Sequence, residues 1–147
     1  MLPAHRGIPS VAVLFALLHG DPAYGATLHE IDAGIDTGPV LAERRFTIGP
    51  EDRFHQVMLR GIRACHALFE QTLPAVAEGV PLLPVPPDPD RAGDSYYGAA
   101  ALARLGEYRH RPGYARATDL GAFAVHTPEV ARAVRALAAG GDAPCDG

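Results

Sequence analysis

The 147 residues amount to about one domain. At 48% hydrophobic and 20% charged residues the composition is that of a soluble globular protein, which excludes collagen, a long coiled coil and wholesale disorder. Thirteen basic against seventeen acidic side chains leave a net charge of -4, so the overall field does not favour a polyanion and nucleic acid is not an expected partner.

The N-terminal MLPAHRGIPS has no basic run followed by a long apolar stretch, and Val11 to Leu18 is too short to cross a bilayer; neither a signal peptide nor a membrane partner is expected. Ser10 to His19 is almost wholly apolar, with Ser10 as a candidate cap and Gly20 as a terminator, which predicts a short helix buried on most sides, with a buried strand as the alternative. Alternation predicts strands over 26–31 and over 40–48, the latter with Val40, Ala42, Phe46 and Ile48 on one face. Between them lies the glycine-rich loop DAGIDTGP.

From Asp52 to Glu78 the apolar residues Phe54, Val57, Met58, Ile62, Cys65, Leu68, Phe69, Leu73 and Val76 recur every three or four positions, which lays one stripe along a long helix. Pro74 cannot donate to the carbonyl of Glu70, so a kink or restart near Thr72 is expected, with Gly79 as the stop. Pro81, Pro84, Pro86, Pro87 and Pro89 then force an extended linker. Beyond it, Ala99 to Tyr108 is weakly helical, and Thr127-Pro128-Glu129 opens a helix to Ala139 that Gly140 and Gly141 close. The end from Asp142 is expected to fray. Cys65 and Cys145 make neither a disulfide framework nor a zinc pair, which suits a reducing, cytoplasmic setting.

The chemistry is concentrated in Gly20-Asp21-x-x-x-Gly25-x-Thr27-x-His29-x-x-Asp32-x-Gly34-x-Asp36-Thr37-Gly38-Pro39, preceded by Leu2-Pro3-x-x-Arg6-Gly7. Two carboxylates and two glycines in a strand-to-strand loop form a backbone-lined pocket edge in which one aspartate can polarise a neighbour. This arrangement resembles the folate-dependent formyltransferases, whose members carry an LPxxRG segment, a G[DE]xxxG turn, TxH on a strand and DxGxDTGP in the loop after it. Residues 2 to about 80 match in order and spacing, and TLPAVAEG looks like the end of the family's long helix.

The resemblance implies an α/β fold: the C-terminal part of a Rossmann-like formyltransferase domain (short helix, two strands, long helix) over 1–80, a Pro-rich linker over 81–94 and a small helical tail over 95–147. It implies 10-formyltetrahydrofolate as formyl donor and an amine of a small-molecule acceptor as nucleophile. Asp36 takes the position of the aspartate that supports the tetrahedral oxyanion and the proton transfers. Ile31, Asp32, Ala33, Gly34 and Ile35 take the positions that line the pteridine pocket. Arg6 and His29 are candidate substrate contacts; the alternatives are a structural loop arginine and a satisfied strand histidine. DAGIDTGPV, and Gly93-Asp94-Ser95-Tyr96-Tyr97 after it, look closer to the sugar N-formyltransferases than to the purine enzyme. A methionyl-tRNA acceptor, or a non-catalytic folate-binding or structural remnant, remains the alternative.

The family's asparagine and histidine belong to an NxHPSLLP-like motif whose leucines this chain reaches at once. The expectation is therefore that both are absent from this chain, through a start assigned too late in a longer gene or because the chain is a genuine fragment, that His5 does not replace the histidine, and that these 147 residues alone are inactive or nearly so, since one oxyanion donor is worth about 3 kcal/mol. An exposed sheet edge, self-association, or pairing with a missing N-terminal half are further expectations. Asp32, Gly34, Asp36 and Glu43 fall at positions of a calcium-loop template, but Thr37 stands where that loop needs glycine, and no metal is expected. His55 and His66 are expected to face solvent. Arg104, Arg109, His110, Arg111 and Arg116 form one local basic cluster, more in keeping with a solvated face than with a phosphate site.

Overall fold

A computed structural model describes residues 2–34, 37–86 and 95–140. In chain order a short 3-10 turn, Pro3–His5, leads into β1 (Arg6–Gly7), α1 (Pro9–His19), β2 (Ala23–His29), β3 (Val40–Thr47), α2 (Phe54–Ala77), β4 (Tyr96–Tyr97), α3 (Ala99–Ala103), α4 (Tyr114–Ala117) and α5 (Pro128–Ala139), with further 3-10 turns at Leu105–Tyr108 and Gly121–Val125. The class is α/β. β2 and β3 form an antiparallel hairpin in which Tyr24 faces Phe46 and Thr27 faces Glu43. β1 and β4 form a parallel pair, Arg6 opposite Tyr96 and Gly7 opposite Tyr97.

α1 is the hub. Ser10 to Leu18 are all buried, as a helix apolar on every side must be. Around it gather Tyr24 of β2, Ile48, Phe54 and Val57 of α2, and from the C-terminal segment Leu105, Ala117, Leu120, Val130 and Ala131. A smaller cluster joins the hairpin to α2 through Ala26, Ala64 and Leu68, with Leu28, Ala42 and Phe46 packed against it. The segment after the prolines thus shares its core with α1.

Gly20 ends α1 in the left-handed region at φ 75°, and the amides of Gly20 and Asp21 reach back to Leu17 and Ala16, which satisfies carbonyls the helix leaves open. The cap expected of Ser10 does not form. Pro9 occupies the first helical position, which its fixed φ favours, so Ser10 falls inside the helix and its hydroxyl donates to Glu129 of α5. β2 begins three residues earlier than expected and releases the chain at His29, because the amide of Glu30 bonds the carbonyl of Pro39 and closes the loop.

α2 continues through Pro74 as one helix, without the restart that was the alternative to a kink. The buried face, Val57, Ala64, Leu68 and Thr72, lies before the proline and anchors the helix; Thr72 Oγ1 donates to Leu68 O at 2.8 Å. Only the last turn follows Pro74, and amides of Glu78, Gly79 and Val80 close it on Pro74, Val76 and Ala75. Of the linker, residues 81–86 run without regular structure, and Val85 donates to Val40 O at 2.6 Å.

Candidate functional site

The loop leaving β2 is an exposed hairpin connection whose shape is set by Asp32. Its Oδ1 accepts from the Gly34 amide at 2.9 Å and from Thr37 Oγ1 at 2.7 Å, an aspartate turn of the kind that favours this residue in loops. Those two bonds, Thr37 first, hold the Asp32 carboxyl below its ordinary value, with His29 adding in the same direction. Both glycines serve close approach. A Cβ on Gly34 would lie 2.1 Å from Thr37 Oγ1, and one on Gly38 would lie 2.0 Å from the Glu30 carbonyl oxygen. The carbonyl at Gly38 is backbone and cannot swing aside, so that glycine is the stricter requirement.

His29, at the last position of β2, donates from Nδ1 to the Glu30 carbonyl at 2.9 Å. Ile31, 94% exposed, and Asp32, Ala33 and Gly34 all face solvent. Asp36 and Ile35 lie outside the described residues. The structure therefore brings Asp32, Gly34, Thr37 and His29 together on one open rim. Arg6 lies elsewhere: its amide donates to Ser95 O at 3.1 Å, and its neighbour His5 contacts Tyr24. From Tyr24 to His29 is about 17 Å of strand at 3.4 Å per residue, so the Arg6 backbone belongs to the end of β2 remote from the loop.

The described cavities lie away from that rim. One of about 300 Å³ opens among Phe15, His19, Tyr97, Arg104 and Tyr108. His19 Nε2 is 3.1 Å from the Tyr108 hydroxyl, and Phe15 stacks on Tyr97 at 5.5 Å between centroids. A second, of about 480 Å³, lies between Pro50, Arg53 and Arg116. Among the described residues no group of His, Cys, Asp and Glu is placed to hold a metal, and no helix is long and apolar enough to cross a membrane.

The basic cluster is largely engaged within the fold. Arg104 pairs with Glu107 at 2.8 Å, Arg111 lies over the Tyr108 ring, and Arg116 donates to the carbonyls of Gly49, Asp52 and Leu17. His66 faces solvent as expected, whereas His55 is half-buried, its Nδ1 3.1 Å from Asp119 O, because the turn at Gly121 packs on its ring.

Sequence reasoning missed a pair beside β2. His5 is buried and its Nε2 stands 2.7 Å from Asp21 Oδ2. The only sequence signal was the charged residue next to Gly20, since residues 5 and 21 flank α1 and meet only through the folding of the chain on either side of it.

A glycine-pinned aspartate loop thus joins two strands of an α/β core on which the helices pack. Residues 1–73 match the model of the formyl transferase family, and over them the chain belongs to that family. It is 36% identical over 92 residues to the methionyl-tRNA formyltransferase of Paracoccus denitrificans, which covers 63% of this chain and 28% of that protein. It is 37% identical over 79 residues to the corresponding enzyme of Renibacterium salmoninarum, 54% of this chain and 25% of that protein. The chain thus spans about a quarter of the length of these curated relatives.

Solved structures agree in fold. The formyltransferase PseJ from Anoxybacillus kamchatkensis, in complex with UDP-4,6-dideoxy-4-formamido-L-AltNAc and tetrahydrofolate, superposes with a TM-score of 0.61 at 23% identity, over 82% of this chain and 60% of that one. An N-formyltransferase from Helicobacter canadensis, in complex with folinic acid and dTDP-3-aminofucose, gives 0.59 at 22% identity, over 68% and 35%.

Proposed function

We propose that this chain supplies the folate-loop wall of a formyltransferase site, in which a formyl group passes from 10-formyltetrahydrofolate to an acceptor amine. The observation that carries the reading is the loop itself. Residues 31–34 form an exposed backbone edge, pinned by Asp32 to Gly34 and Thr37, within the segment that matches the family. Such an exposed edge suits a flat, hydrogen-bonding heterocycle such as a pteridine, which backbone groups can orient. The donor would supply the activated formyl carbon. Asp36 would handle the proton lost by the amine, and His29, beside Asp32, would keep the loop's polar face set. Arg6, tied to β1, serves the frame.

For the acceptor we favour the amine of a sugar nucleotide. What supports it is the likeness in fold to N-formyltransferases solved with sugar nucleotides, PseJ over 82% of the chain and the Helicobacter enzyme over 68%. The identity of 36% to the Paracoccus methionyl-tRNA enzyme keeps methionyl-tRNA as the second reading. Calorimetric titration of the 147-residue protein with folinic acid tests the folate wall: saturable binding that Gly34→Val abolishes is expected, and no binding to the wild type overturns it. Parallel titrations with a dTDP-amino sugar and with methionyl-tRNA decide the acceptor.

A further inference from the structure

The end of α1, β4, α3 and the turn at Leu105–Tyr108 enclose the cleft of about 300 Å³ on which Phe15, His19, Tyr97 and Tyr108 converge. Phe15 and His19 share one face of α1, their rings 5.7 Å apart. Phe15 also stacks on Tyr97 and meets Tyr108 edge-on at 5.3 Å, so the rings that back the cleft hold one another in place. Tyr96 stands at the rim, 64% exposed. Its ring lies over Gly98, where a Cβ would come within 3.1 Å of it; a residue without a side chain leaves it room there.

Polar groups cross this cleft as one chain. A side-chain hydrogen bond links Ser95 to Tyr97, whose hydroxyl burial keeps protonated by raising its pKa. The Tyr97 hydroxyl is 3.4 Å from His19 Nδ1, and His19 Nε2 is 3.1 Å from the Tyr108 hydroxyl; both contacts are open to solvent, so a molecule in the cleft can reach them. A neutral imidazole carries one N–H, and the three hydroxyls carry one O–H each. Three links use three of these four protons and leave one donor for a partner. When Tyr97 donates to His19 and His19 to Tyr108, that donor is the Tyr108 O–H.

The Tyr108 end is also where positive charge gathers. Arg104 lines the cleft and interacts electrostatically with Tyr108, and Arg111 lies over the Tyr108 ring at 5.5 Å. Glu107, held by Nε and Nη2 of Arg104, offsets one of the two charges. Asp21 acts on Tyr97 but is bonded to His5 and does not line the cleft. The balance beside Tyr108 suits a monoanion better than a phosphate dianion, which Glu107 would repel more strongly. The space suits a ring with a substituent, since a cavity of about 150 Å³ is enough for benzene alone.

We propose that this cleft binds a single-ring aromatic carboxylate, its ring against Tyr96 and Ala101 and its oxygens accepting from the Tyr108 hydroxyl and Arg104. The site is separate from the formyl-transfer reading and does not depend on it.

The test uses the 147-residue protein and two probes of one shape, benzoate and benzamide, followed by amide chemical shifts. Saturable shifts at Gly98, Ala101 and Arg104 are expected for both, with benzoate tighter by about tenfold, the added worth of hydrogen bonds to a charged group. Tyr108→Phe should weaken benzoate about tenfold. Arg104→Gln, at an exposed position where folding is not at risk, should remove the preference for benzoate over benzamide. Tyr96→Ala should weaken both probes about threefold, the worth of one aromatic contact. Absence of saturable shifts at these amides overturns the proposal, as does equal affinity of the wild type for the two probes or benzoate binding left intact by Arg104→Gln.

Discussion

Leu105→Ala is the sharpest probe of how the C-terminal segment is built in. Leu105 is 1% exposed, in the 3-10 turn after α3, and belongs to the cluster around α1. Truncation to alanine removes three carbons, about 2.4 kcal/mol of transfer free energy at ~0.8 kcal/mol per methylene, and the cavity left behind raises the loss to about 3–5 kcal/mol. Against a total stability of ~5–15 kcal/mol this is a large fraction, and at about 2–4 °C per kcal/mol for a domain of this size the melting point should fall by roughly 6–20 °C. Urea unfolding followed by far-UV circular dichroism measures it, with Val125→Ala, 78% exposed, as the control that should change almost nothing. A loss below about 1 kcal/mol with an unchanged m value would refute the shared core.

Gly38→Ala should open the base of the loop hairpin, since its Cβ would overlap the Glu30 carbonyl, at about 1–3 kcal/mol; denaturant midpoints check this, and loss of amide protection at Glu30 should accompany it. Thr37→Val should let the Asp32 carboxyl rise toward its ordinary value, read from its carboxyl carbon shift on titration, because Thr37 is the main cause of the depression. Burial alone would raise the Asp52 carboxyl, but hydrogen bonds from Arg60 and the Gly49 amide and the charges of Arg60 and Arg116 outweigh it and hold the group below its usual range. Its stabilisation is therefore complete above the unfolded value of about 3.9 and lost as pH falls through the lower folded value. Asp52→Asn should flatten the dependence of the urea midpoint on pH between about 2 and 4.

The elements with a strong period were legible in the sequence. The stripe of α2, the terminators Gly20 and Gly79, and the Thr127-Pro128 start of α5 all state local rules that nothing in the packing opposes. The loop could be placed because its glycines, Asp32 and Thr37 interact within a few positions of one another. What could not be read depends on contacts between distant residues. Ser10 looks like a cap until Pro9 takes the first helical position and Glu129 takes the hydroxyl. His55 looks like a surface residue until the turn at Gly121 arrives beside it. His5 and Asp21, sixteen positions apart, meet only in the folded chain.

The parallel pairing of Arg6 with Tyr96 and Gly7 with Tyr97 has a kinetic consequence. Those two short strands are about ninety residues apart in sequence, so the pair cannot form until Tyr97 has left the ribosome, and α1 waits longer still for the partners that α4 and α5 bring. High sequence separation of contacts slows folding, and an all-apolar helix waiting for its cover is prone to clump with its neighbours. Yield on expression should accordingly respond more to growth temperature and chaperone supply than to any change made in the hairpin.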